Sequence, residues 1–151
     1  MSFTIVIVPG YTNAGPAHWQ TYIERKYHNV VRVKQDDWLS PVRERWISGL
    51  NNTIKQIQGD MLLVGHSCGA NVIVQWAQQY QNPNIKGALL VAPADIDSPN
   101  ALPAITVQRP LPMQPLPFRS MVVYSDNDGH TSLARSEYFA DSWGSERVLY
   151  K

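Results

Sequence analysis

Met61-Leu62-Leu63-Val64-Gly65-His66-Ser67-Cys68-Gly69 decides how this chain is read. A short apolar run feeds a G-x-S-x-G pattern, and helical spacing follows at once, with Ile73, Trp76, Ala77 and Tyr80 as its expected buried face. Strand, serine, helix in that order describes a sharp corner that holds a serine hydroxyl out at the end of a sheet. Glycine on either side has a steric purpose, since strand and helix meet there too closely for side chains. By chance alone the pattern arises about one time in twenty in a chain this long. The strand before it and the helix after it therefore carry the argument.

Working outward, apolar β-branched segments alternate with helical ones. Phe3 to Val8 reads as a strand buried on both faces. Pro9-Gly10-Tyr11 breaks it, a short helix is expected over Ala17 to Lys26, and Val30 to Val33 forms a second strand. Ser40-Pro41 has the chemistry of a helix start, opening a helix with Val42, Trp46, Leu50, Ile54 and Ile57 as one apolar stripe and Gly59 as its stop. Gly87 to Val91, Met121 to Ser125 and Arg147 to Tyr150 read as further strands, with a helix from Leu133 to Trp143. Seven of the eleven prolines lie between Pro93 and Pro117, which predicts a long surface loop without regular structure. Short connections between alternating strands and helices imply a parallel sheet with helices on both faces, an α/β, three-layer domain over residues 1–151.

Composition narrows the function. The chain has 151 residues, 44% hydrophobic and 17% charged, with a net charge of +1, which suits one globular domain without a basic stripe for nucleic acid. Its apolar runs are too short to span a bilayer, and the start of the chain does not read as a signal peptide. One cysteine forms no internal disulfide, and a cytoplasmic setting is expected. The four histidines and the cysteine show no metal-ligand spacing. The loop Pro9 to Gly15 lacks both G-x-G-x-x-G and a P-loop lysine, which argues against a nucleotide-binding fold.

Eight collinear segments carry a resemblance: Pro9-Gly10-Tyr11, Gly15-Pro16-Ala17-His18-Trp19-Gln20, Gln35-Asp36-Asp37-Trp38, Gly65-His66-Ser67-Cys68-Gly69, Gly87 to Asp95, Leu116-Pro117-Phe118, Ser125-Asp126-Asn127-Asp128 and Ala140-Asp141-Ser142-Trp143-Gly144. Together they resemble the small serine hydrolases related to retinoblastoma-binding protein 9 and the bacterial YdeN proteins. The resemblance implies a reduced α/β-hydrolase fold with sheet order 2-1-3-4-5-6 and serine hydrolysis of a small ester, thioester or amide. It requires no cofactor and no metal. In that family a Gly-His-Ile-Asn-type loop after the sixth strand supplies the catalytic histidine, followed by a final helix. This sequence stops at Val148-Leu149-Tyr150-Lys151, so a C-terminally incomplete domain is expected, with a sheet face left open to self-association.

The resemblance assigns Ser67 as nucleophile, the backbone N–H groups of Cys68 and Tyr11 as oxyanion donors, and Asp128 as the acid that orients a histidine. Asp126 and Asp95 are rivals for the acid. Cys68 reads as packing, and His130 as a solvent-facing turn residue rather than a base. His66 is expected to point away from the nucleophile and pack beneath the turn. His18 and Trp19 line a pocket or pack the helix start, and Trp38, Trp46, Trp76 and Trp143 read as core. The alternative function is a non-catalytic binding or scaffold protein that works without the triad histidine.

Overall fold

The computed structural model describes residues 3–150; Met1, Ser2 and Lys151 of the expected domain lie outside the described residues. Strands β1 (Thr4–Val8), β2 (Val30–Arg32), β3 (Met61–His66), β4 (Ile85–Val91), β5 (Ser120–Ser125) and β6 (Glu146–Tyr150) form one sheet. Its order is β2-β1-β3-β4-β5-β6, and every pairing is parallel, as the sequence predicts. Four helices connect the strands: α1 (Trp19–Lys26), α2 (Arg43–Lys55), α3 (Cys68–Gln79) and α4 (Leu133–Trp143).

Handedness fixes the layers. The chain steps one way from β1 to β2 and the opposite way in every later crossover. Right-handed crossovers therefore put α1 on one face and α2, α3 and α4 on the other. The main core lies under those three helices. It joins Val6, Val8, Leu63, Leu90 and Val122 of the sheet to Trp46, Leu50, Ile54, Ile73, Trp76, Phe139 and Trp143. Each fully buried aliphatic side chain there contributes on the order of 1.5–3 kcal/mol relative to exposure. On the opposite face, beyond α1, half-buried Leu62, Leu89 and Met121 line an open apolar groove of about 300 Å³. Among the described residues no helix is long and apolar enough to cross a membrane.

Three local expectations change. The second helix begins at Arg43 with Val42 at its N-cap and no side-chain cap bond, so Ser40 does not cap it. Tyr80 ends α3 partly exposed, because the helix buries a continuous block, Cys68 to Trp76, at its sheet-facing start instead of one long stripe. The proline-rich segment contains a 3₁₀ helix, Pro103–Gln108, with Ile105 and Gln108 buried. Proline at its first position presets the backbone angle there. Gln108 donates to the Cys68 carbonyl at 2.9 Å, and its carbonyl accepts from Gln75 Nε2 at 2.7 Å. Asn71 Nδ2 donates to the Ala94 carbonyl and to Gln108 Oε1, at 2.9 and 3.2 Å. Buried amides thus pin a segment whose composition reads as free loop.

Close packing at the start of α3 explains Gly69. A methyl group there would fall on the carbonyl oxygen of Val8 and within 2.6 Å of that of Pro9. Gly69→Ala is expected to lower stability by about 1–3 kcal/mol, the usual cost of overpacking, in urea unfolding. Unchanged stability would mean that β1 and α3 are not in fixed contact.

Candidate active site

The site forms where the sheet order reverses. β1 and β3 are neighbours whose chains leave in opposite directions, and such switch points open a crevice at the carboxyl ends of parallel strands. Ser67 sits in that crevice, between the last residue of β3 and the first of α3. Its backbone adopts φ 56°, ψ −120°, a region costly to a residue with a Cβ. The N–H of Ser67 donates to the Val91 carbonyl at 3.0 Å and its carbonyl accepts from Asn71 N–H at 3.2 Å, so both sides of the corner are held.

Glycines let the corner close. A Cβ on Gly65 would lie 2.8 Å from backbone atoms of Ala70. One on Gly10 would lie 2.7 Å from the His66 carbonyl oxygen, 3.2 Å from Ser67 Cβ and 3.3 Å from the Cys68 nitrogen. The loop after β1 therefore lies directly against the serine corner. That loop holds Thr12 and Asn13 at φ 68° and 64°, unusual for a β-branched threonine. Arg32 stabilises it. The guanidinium donates to the Ala14 carbonyl at 2.9 Å, Asn13 Oδ1 at 3.0 Å and Thr21 Oγ1 at 2.8 Å, and pairs with Glu24 at 2.9 Å. Nothing in the strand-like sequence around Arg32 signals that role.

A cavity of about 270 Å³ opens over Ser67. Tyr11, Thr12, Asn13 and His18 border it from the β1 side, Ala94, Leu102 and Ile105 from the β4 side, and His130 from the turn after β5. His66 borders it too. His66 continues the alternation of β3, on the same face as Leu62, the face that α1 covers. His66 meets His18 edge-on at 4.7 Å between ring centres, and Trp19 at 5.9 Å. Burial, with His18 adding to it, pushes the His66 pKa down to about 4 against the opposing pull of the Asp128 carboxylate. His18 is lowered as well, by burial first and then by Arg32. Both rings are therefore neutral at pH 7.

The candidate acids separate by environment. Asp95 is buried and takes both oxygens into a fork with Arg135, at 3.1 and 3.2 Å. Asp126 is exposed. Asp128 is half-buried, accepts from the His130 N–H at 2.8 Å, and is close enough to act on His66 electrostatically. His130 itself is exposed but lies on the cavity rim. Cys68 is fully buried, and burial raises its thiol to about 11 although the Tyr11 N–H and the Ser67 hydroxyl favour the thiolate. A thiol so protonated is a poor nucleophile. Among the described residues no imidazole is hydrogen-bonded to the Ser67 hydroxyl. Among them also no three His, Cys, Asp or Glu side chains converge to hold a metal ion.

The family model described as serine hydrolase matches residues 5–151. A crystal structure from Pectobacterium atrosepticum, described as a YdeN-like hydrolase, is 30% identical with a TM-score of 0.87, over 98% of this chain and 76% of that one. The ydeN gene product of Bacillus subtilis is 16% identical with a TM-score of 0.80, over 99% and 86%. A lipase-esterase related protein of Clostridium acetobutylicum is 12% identical with a TM-score of 0.75, over 99% and 85%; these two likenesses concern the fold. No curated protein sequence matches the chain.

The imidazole pair makes stability depend on pH. The His66 pKa lies below its unfolded value near 6.5, so on acidification the unfolded chain takes up the proton first. Stability is expected to fall as pH drops from about 6.5 towards 4, and His66→Gln should flatten that slope in urea titrations. Equal slopes for both proteins would remove the assignment.

Proposed function

Because the chain belongs to the serine hydrolase family, we propose that it cleaves a small ester, thioester or amide through an acyl-enzyme on Ser67. The observation that carries this reading is the positive-φ serine at the β3–α3 corner, opening on a cavity at the switch point. In the proposed reaction Ser67 Oγ attacks the carbonyl carbon and gives up its proton to an imidazole, the base that the family resemblance places in a loop after the sixth strand. The carbonyl π electrons move onto oxygen, where the N–H groups of Cys68 and Tyr11 receive the charge, each contributing about 3 kcal/mol in the transition state.

The role assigned to Asp128 is to hold the tautomer of a catalytic imidazole and stabilise its protonated form. Its electrostatic pull on His66 and its bond to the N–H of rim residue His130 support that choice over Asp95, whose oxygens Arg135 already occupies. Collapse of the tetrahedral adduct expels the alcohol, thiol or amine, and water then releases the acid.

A fluorophosphonate probe is expected to modify Ser67, read by peptide mass, and to leave Ser67→Ala unmodified. Equal labelling of both proteins, or of neither, would defeat the proposal. Asp128→Asn should slow hydrolysis of p-nitrophenyl acetate by about 10²- to 10⁴-fold, whereas Asp126→Asn should stay within about twofold, as expected for an exposed residue. A reversed order would move the acid to Asp126.

A further inference from the structure

The cavity over Ser67 has two chemically different walls, and the strand order sets them on opposite flanks of the serine. β3 lies between β1 and β4, so the segments leaving those two strands face each other across Ser67. The β4 side presents residues with apolar side chains: Ala94, Leu102 and Ile105. Ile105 is 7% exposed and is anchored through the 3₁₀ helix, so this wall is fixed. The β1 side presents the ring of His18.

His18 has one polar atom committed. Its Nδ1 accepts the N–H of Gln20 at 3.1 Å as the N-cap of α1. A neutral ring that accepts at Nδ1 carries its proton on Nε2. Among the described residues Nε2 has no protein partner and is not among the buried orphan atoms, so it is accessible, on a residue that lines the cleft. The cap thereby fixes an N–H donor beside the nucleophile. Burial keeps that ring uncharged at neutral pH, so it donates without attracting anions strongly.

We propose that this cleft selects small, two-armed substrates, with an apolar arm of a few carbons against Leu102 and Ile105 and a hydrogen-bond acceptor oxygen on the opposite arm received by His18 Nε2. The volume of about 270 Å³ holds both arms only if they are short. At roughly 30 Å³ per water-sized group, it admits about nine non-hydrogen atoms. The inference rests on Ser67 being the reactive group at this site, and its test separates the two claims.

Alkylboronic acids report on it without turnover. Ser67 Oγ adds to the trigonal boron and releases its proton, leaving a tetrahedral boronate read by ¹¹B NMR and titration calorimetry. For methyl to butyl chains the wild-type affinity is expected to rise by up to about fourfold per methylene, then to stop rising by octyl. Ile105→Ala should move that limit to longer chains. His18→Asn keeps a capping side chain and lacks the ring. It should weaken 3-hydroxypropylboronic acid by about fivefold relative to butylboronic acid, with melting temperature as the check on folding. His18→Ser, another capping residue, provides the same comparison should the Asn variant melt early. Boronate signals that Ser67→Ala leaves unchanged would overturn the reading of Ser67 and this inference with it. Adducts that depend on Ser67, but with affinity still climbing to octyl or with both probes weakened equally by the His18 variants, would overturn the inference alone.

Discussion

Everything at this site depends on the absence of three methyl groups. Gly10, Gly65 and Gly69 each stand where a Cβ would press on backbone atoms of the neighbouring segment. Backbone cannot move aside as the end of a flexible side chain can, so these contacts fix how closely β1, β3 and α3 approach. That approach leaves Ser67 no ordinary conformation, and it sits at φ 56°. The strain costs on the order of 1–3 kcal/mol, and the rest of the fold holds it in place. The buried start of α3, from Cys68 to Trp76, is the counterweight.

A second constraint comes from buried amides. Asn71, Gln75 and Gln108 spend their N–H groups on the Ala94, Gln108, Pro110 and Cys68 carbonyls, the Gln108 side-chain oxygen taking a further bond from Asn71. The side-chain oxygens of Asn71 and Gln75 have no protein partner. Neutral hydrogen bonds contribute about 1 kcal/mol each, and orphaned acceptors cost a similar amount. The network therefore adds little net stability. Its effect is directional: it specifies where the segment after β4 crosses the helix, and so where Ile105 stands relative to Ser67.

Much of this was legible from residue order. Continuous apolar runs such as Ile5 to Val8 identified strands buried on both faces, and the alternation of strand and helix gave a parallel sheet. The boundaries of α4 were readable because Ser132 caps it and Gly144 closes it in the left-handed region, two local devices with sequence signatures. The start of α2 was misread because a Ser-Pro pair has cap chemistry whether or not the hydroxyl is used. The segment from Pro93 to Pro117 was misread because proline reports a missing donor, while the partners of Gln108, on Cys68, Asn71 and Gln75, lie far away in sequence. Around Ser67 the neighbours on each side of the corner were readable, but the packing of the His66 ring against His18 and Trp19 was not. Arg32 left no trace either, since its partners are carbonyl and side-chain oxygens gathered from a loop and a helix face.

Arg32 also separates shape from charge. A guanidinium stays protonated across the whole working range, and three of its four acceptors on the loop and on α1 are neutral oxygens. The curvature of the loop after β1 is thus held by a group that does not titrate. The two imidazoles a few ångströms away do titrate. Burial keeps His66 uncharged until the pH nears 4, so this ring brings the crevice no positive charge in mild acid.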